Sequence, residues 1–182
     1  QTCALPISNG GDISLLASSG GTAVAGRGID LSNGSNNLSS SGGNITLGGG
    51  TNGTQGNGLY VSTNVNAGAP AIYMVSATLS AGAGNIKLYG NNTTSQDNGI
   101  YILSSTLTTT GAGTIGIYGD SYGGGSGAYN GVTLNGNTTL QTDSGSLTVW
   151  GTLAASSGNS SGGLSFFRPS DQAGTIQVIS KS

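Results

Sequence analysis

Apolar residues recur along this chain as pairs separated by one position, and single apolar residues stand between many of the pairs. The pairs are Ile13-x-Leu15, Ile29-x-Leu31, Ile45-x-Leu47, Leu59-x-Val61, Ile72-x-Met74, Ile86-x-Leu88, Ile100-x-Ile102, Ile115-x-Ile117, Val132-x-Leu134, Leu147-x-Val149 and Ile176-x-Val178. The single positions are Leu38, Val65, Leu79, Leu107 and Leu140. Alternation over so few residues predicts short strands with one buried face. No stretch carries the i, i+3, i+4, i+7 stripe of an amphipathic helix. Gly and Asn fill most gaps, where the chain has to corner.

Pairs and single residues combine into a degenerate repeat. Gly28–Gly48 reads GIDLSNGSNNLSSSGGNITLG, and Ala71–Gly90 reads AIYMVSATLSAGAGNIKLYG. Gly99–Gly119 reads GIYILSSTLTTTGAGTIGIYG, and Gly131–Gly151 reads GVTLNGNTTLQTDSGSLTVWG. Each copy is too small to bury its own apolar face, so it must stack on its neighbours. Ile72, Leu79 and Ile86 are evenly spaced, and Ile100, Leu107 and Ile115 nearly so. The connections from Ile86 to Ile100 and from Ile115 to Val132 are longer and unequal, and they hold NNTTSQDN and DSYGGGSGAYN. Two constrained corners and one tolerant corner describe a coil that winds on itself, with parallel strands about 4.8 Å apart. At roughly 20–30 residues per coil, about six to eight coils are expected. Between Gly58 and Ala71 the repeat is short, and the register there is open. The expected fold is therefore an all-β parallel β-helix, a β-solenoid, without recognisable polar caps.

Composition narrows the choice of function. Charged residues make up 5% of the chain, its net charge is -2, and 36 residues are Gly. Such a balance gives no electrostatic reason to bind nucleic acid or an anionic membrane. No apolar run approaches the roughly 20 residues of a membrane helix. The apolar fraction of 34% is periodic, which argues against disorder. Cys3 is the single cysteine, and Met74 the single methionine, lies in mid-strand. Residues 1–8 (QTCALPIS) do not follow the repeat and are expected to be an adapter-derived leader on an internal fragment. Residues 9–182 are expected to form the solenoid, best defined over 26–151.

Histidine is absent, which removes Ser–His–Asp and Cys–His nucleophiles and the commonest metal ligand. Gly158–Gly162 (GNSSG) has the spacing of a nucleophile elbow but no base and no following helix. Gly48–Gly53 (GGGTNG) has the spacing of a dinucleotide loop, again without its helix. Calcium-binding rolls need an Asp in each Gly-rich turn, and GGGTNG and GGGSGAY have none. No catalytic, cofactor-binding or metal-binding residue is assigned, and no enzyme is expected. Asn-x-Ser/Thr recurs at Asn33, Asn37, Asn44, Asn52, Asn91, Asn92, Asn137 and Asn159; in this composition it reads as Asn stacked at corners.

The remaining candidates are structural and aromatic. Ile72, Ile86, Ile100, Ile115, Val132 and Leu147 are the expected core. The middle residues of the pairs should point outward, aligning Tyr60, Tyr73 and Tyr101 with Thr133. The residue after each second pair aligns Tyr89, Tyr118 and Trp150. Ring ladders along a rod can bind the apolar faces of sugars or receptor surfaces, or they can shield the coil edge by stacking on one another.

The phrases GIYILSSTLTTTGAGTIGIYG and AIYMVSATLSAGAGNIKLYGNNTTSQDNG (Ala71–Gly99) resemble the repeats of large bacterial filamentous haemagglutinin-like proteins. These are exported by two-partner secretion and are similar to autotransporter passengers. The resemblance covers about Gly26–Gly151 and lies in the style of the repeat. It implies a right-handed parallel β-helix, a secreted or cell-surface location in a Gram-negative bacterium, and attachment to host-cell or environmental surfaces, glycans among them. No membrane insertion of this segment is implied, and no oligomer except by edge association. The alternative is a polysaccharide-active β-helix enzyme, a lyase or hydrolase. It would need two carboxylates facing one another, and Asp97 and Asp120 are spaced by about one coil. A third reading is an ice- or surface-binding solenoid. That would need a regular Thr ladder, whereas the outward positions mix Thr with Tyr, Lys and Asp.

Overall fold

The computed structural model describes residues 8–16, 27–34, 36–48, 59–60, 69–92, 97–121, 129–153, 162–167 and 177–180. Among them all regular structure is strand. In chain order the strands are β1 (Ile13–Leu15), β2 (Ile29–Leu31), β3 (Asn37–Ser39), β4 (Ile45–Gly48), β5 (Leu59–Tyr60), β6 (Ile72–Val75), β7 (Thr78–Ser80) and β8 (Ile86–Asn92). They continue with β9 (Ile100–Leu103), β10 (Thr106–Thr108), β11 (Ile115–Ser121), β12 (Asn130–Asn135), β13 (Thr139–Thr142), β14 (Leu147–Leu153), β15 (Gly162–Phe167) and β16 (Gln177–Ser180).

Every strand pairs in parallel with the strand three elements away, or its equivalent, and three sheets result. Sheet I runs β2-β6-β9-β12-β15, sheet II β3-β7-β10-β13-β16 and sheet III β1-β4-β8-β11-β14, with β5 also on β8. The first apolar pair of each repeat makes sheet I, the single apolar residue sheet II, and the second pair sheet III. Like stacks on like: Ile72 on Ile100, Leu79 on Leu107, Ile86 on Ile115. This is a β-solenoid. Three consecutive turns are built from β6–β8, β9–β11 and β12–β14, flanked by the turn opened at β2 and by partial turns. Hydrogen bonds between neighbouring turns join residues 28 apart (Ala77 to Ser105) and 33 apart (Ser144 to Gly111), so turns run from near the upper end of the expected length to just beyond it.

Inward side chains form one aliphatic cluster along the axis. Ile72, Ile86, Ile100 and Val132 are fully buried, and Ile115 nearly so. Each such side chain contributes about 1.5–3 kcal/mol of burial. Leu147 and Val149 are half-buried against this cluster, because β14 is the last strand of sheet III among the described residues.

Two expectations about register are corrected. Leu59-x-Val61 does not open a coil of its own. β4 follows β8 as far as Gly48 opposite Tyr89, and β5 resumes with Leu59 opposite Asn91. Leu59 thus continues the sheet III strand of the same turn, across the insertion 49–58. That insertion explains why Asn44 and Asn85, in adjacent turns, lie 41 residues apart. Near the other end, Val178 pairs with Leu140 in sheet II, so Ile176-x-Val178 is not a sheet I or sheet III pair. The sheet I strand of that turn is β15, where Leu164 and Phe166 pair with Val132 and Leu134. Val61, Val65 and Ile176 lie outside the described residues.

The corner from sheet II to sheet III is tightly built. Ser40, Thr109 and Thr142 point inward there and donate to the carbonyls of Gly43, Gly113 and Gly145. The glycines stack backbone on backbone. A Cβ on Gly84 would lie 2.0 Å from the Gly43 carbonyl oxygen, and one on Gly113 would lie 2.4 Å from that of Gly84. Beside them runs a polar ladder. Asn44 donates through N and Nδ2 to Asp12 Oδ1, Asn85 does the same to Asn44 Oδ1, and Thr114 N and Oγ1 donate to Asn85 Oδ1. Asn44 therefore stacks at a corner, as its sequence context suggested.

The tolerant corner joins sheet III to sheet I of the next turn, after Asn92, Ser121 and Leu153. Its base is a backbone crossing: a Cβ on Gly119 would lie 2.1 Å from the Gly131 oxygen, and one on Gly151 1.7 Å from that of Gly163. Loops of different length can leave from this neck without moving the strands. Ser8 N donates to Ser39 O at the edge of sheet II. Residues 1–7 lie outside the described residues.

Candidate functional site

With the interior filled by aliphatic side chains, chemistry is left to three outer faces. On sheet III the register is Gly48, Tyr89, Tyr118 and Trp150, the expected second aromatic ladder. Tyr89 and Tyr118 stack with centroids 5.2 Å apart and planes 12° apart, and Trp150 stands at 86° to Tyr118 at 6.5 Å. Tyr118 thus has a ring on either side, and its edge leans over Gly116, where a Cβ would come within 2.7 Å of the ring. Trp150 is the exposed member at 42%. Along one side of the rings runs the row Thr46, Lys87, Gly116, Thr148, and along the other Asn91, Asp120, Thr152. Thr152 donates to Asp120.

Sheet I carries the first ladder, with a correction. Tyr73, Tyr101 and Thr133 are aligned, but Tyr60 pairs with Asn92 in sheet III. Asp30 holds the place beside Tyr73. Tyr73 and Tyr101 are tilted by 30° with centroids 5.5 Å apart. The Arg27 guanidinium sits 3.8 Å over the Tyr73 ring and 2.7 Å from Asp30 Oδ2, so the outer face of Tyr73 is occupied. Thr133 is buried rather than exposed, because its hydroxyl donates to Asn98 Oδ1 while Asn130 Nδ2 donates to that hydroxyl. Asn135 Nδ2 donates to the Tyr101 hydroxyl at 2.6 Å. The stack is closed at both ends by protein groups.

The two carboxylates spaced by about one coil, Asp97 and Asp120, each have partners of their own, and the bond near them that links the two turns comes from Ser121. Ser121 Oγ donates to the Asp97 carbonyl at 2.6 Å. The Asp97 carboxylate accepts from Asn98 N and Nδ2, and that of Asp120 accepts from Thr152. Burial pushes the Asp97 carboxyl above its usual range; the Asn98 hydrogen bonds and the Arg27 charge oppose this. Among the described residues no three Cys, Asp or Glu side chains gather as a metal site. No helix among them is long and apolar enough to cross a membrane.

Sheet II presents a face that the apolar pattern did not single out. Either side of Leu38, Leu79, Leu107 and Leu140 lie Asn37 and Ser39, Thr78 and Ser80, Thr106 and Thr108, Thr139 and Gln141. The sequence carries the signal as N-L-S, T-L-S, T-L-T and T-L-Q, but a single apolar residue between two polar ones does not by itself fix which face its neighbours share.

Fold and faces define the class: a β-solenoid whose interior is structural and whose side-chain chemistry is sorted by sheet. Compared with protein-family models, with curated proteins and with solved structures, the chain finds no match in any of the three.

Proposed function

We propose that this solenoid is a shaft segment of a large secreted or surface-displayed bacterial adhesin, which holds attachment surfaces away from the cell. The observation that carries the reading is the in-register stacking of turns, because a structure of this kind lengthens by adding turns and repeats each outer side chain along its length. The right-handed crossover rule for parallel strands favours a right-handed coil, and a count of six or more coils would have to take in the partial turns that flank the three complete ones. Export by two-partner secretion and display on a Gram-negative surface complete the proposal. Its partners are host-cell or environmental surfaces. Trp150, with Thr148, Thr152 and Asp120 around it, offers a ring and hydrogen-bonding groups suited to a sugar. Beads coated with the 182-residue chain are expected to attach to host-cell monolayers, and the gene to lie beside one for an outer-membrane transporter. Attachment no better than that of albumin-coated beads, with no transporter gene adjacent, would remove the adhesin reading.

A further inference from the structure

The outer face of sheet II differs from the other two in a way that points to a ligand of its own. Among the described residues it bears no charge and no ring, whereas sheet III carries Lys87 and its aromatic row and sheet I carries Asp30 beside Tyr73. Its hydroxyls and amides fall into two ranks, one through Asn37, Thr78, Thr106 and Thr139, which ends in register with Gln177, and the other through Ser39, Ser80, Thr108 and Gln141, which ends in register with Ile179. Parallel pairing sets the repeat at about 4.8 Å along the axis and about 6.6 Å from rank to rank. The groups are also unspent. Inward hydroxyls at Ser40, Ser105, Thr109, Thr138 and Thr142 each donate to a carbonyl. None of Thr78, Ser80, Thr106, Thr108 and Thr139 has a side-chain partner among the described residues.

A neutral array of free hydroxyls in register matches a partner that is itself a two-dimensional net of hydrogen-bonding groups. We infer that the sheet II face binds the water lattice of an ice surface. The stacked strands hold the ranks rigidly, so ordering them costs little at binding, and each Thr methyl adds apolar contact between the hydroxyls. A crystalline polysaccharide is the weaker fit, because sugar faces are met by aromatic rings, and the rings of this protein lie on the other sheets.

The test is partition of the intact 182-residue chain into slowly growing ice, together with its effect on recrystallisation of fine-grained ice. The chain is expected to enter the ice and to slow grain growth. Thr78→Lys/Thr106→Lys, with circular dichroism and melting temperature unchanged, is expected to be excluded like albumin, whereas Trp150→Thr on sheet III should partition as the parent does. If the double variant fails to fold, Ser80→Lys on the second rank serves in its place. Exclusion of the parent chain overturns the inference, and so does undiminished entry of the Lys variants. Binding of the parent to microcrystalline cellulose but not to ice would overturn it in favour of a crystalline glycan. The adhesin proposal stands or falls separately, on bead attachment and the transporter gene.

Discussion

Sheets II and III are consecutive sides of the same turn, one corner apart, yet their outer faces share almost no chemistry. Sheet II shows hydroxyls on both sides of Leu79 and Leu107; sheet III shows Tyr89, Tyr118 and Trp150 with Lys87 and Asp120 beside them. Their inner faces are nearly alike, a row of Leu in one and of Ile, Leu and Val in the other. The core is shared by neighbouring turns, so an inward residue must suit the turns above and below it. An outward residue answers mainly to the same position in the next turn and to the side chains beside it. Chemistry placed once on a face can therefore be multiplied along the axis without disturbing the other two.

The largest effect should come from breaking what both faces share. Ile100 is fully buried and stacks on Ile72 and Val132. Ile100→Asp would put an uncompensated charge into that interior and should cost more than about 4 kcal/mol, seen as loss of the cooperative melt by circular dichroism. An unchanged melt would contradict the inward assignment. Next in size is the corner between the two faces. Gly84→Ala sets a Cβ against the Gly43 backbone, and overpacking of this kind costs about 1–3 kcal/mol. Gly111 sharpens the comparison, since it has open space around it and a φ of +55°. Gly111→Ala should cost about 1 kcal/mol from conformation alone. Equal melting temperatures for the two variants would mean that backbone approach is not what selects glycine at position 84.

Changes confined to one face should be smaller. Tyr118→Thr removes both ring contacts of sheet III and should cost about 0.5–1.5 kcal/mol for each aromatic pair, while ice partition stays unchanged; a loss of partition would mean that the faces are not independent. The corner leading into sheet I supplies a test with pH. The folded-state pKa of Asp97 is raised, so the fold favours the protonated acid. Its contribution is present below the ordinary carboxylate range and is lost as pH rises through the folded value. Asp97→Asn should therefore match the parent near pH 3 and melt higher than the parent near pH 7. A lower melting temperature at neutral pH would show that the ionised carboxylate is a stabilising partner. Smallest of all, Thr106→Lys on sheet II should change stability by less than about 0.5 kcal/mol, because its side chain points outward from strand β10. A larger loss, measured by denaturant unfolding, would make the hydroxyl ranks part of the scaffold rather than a free surface.

Much of this was legible beforehand. Ile72, Ile86, Ile100, Ile115 and Val132 were marked as inward by alternation alone, and the alignment of Tyr89, Tyr118 and Trp150 followed from equal distances within the repeat. Tyr60 was misplaced because its partner depends on how far residues 49–58 carry the chain before the strand resumes opposite Asn91. Val178 was misplaced because an apolar pair looks the same whichever sheet it enters. Thr133 was expected outside, but its burial depends on Asn98 and Asn130, which reach it from a corner. Arg27 over Tyr73 had no signal, since Arg27 is remote from Tyr73 in the chain and adjacent only once turns stack.

The sequence by itself determined that this protein is built of short strands, which residues face inward, and that equal positions recur often enough to stack. Those are local properties, set by side-chain alternation and by the residues that let the backbone turn. Only the tertiary structure decided which strand each one meets, which glycines touch backbone, and how Thr, Tyr, Lys and Asp are sorted among three faces. Read along the chain, these outward residues alternate within every turn and look mixed. Stacking places each turn directly on the last, so residues about thirty positions apart become neighbours and the mixture separates into three faces of different chemistry.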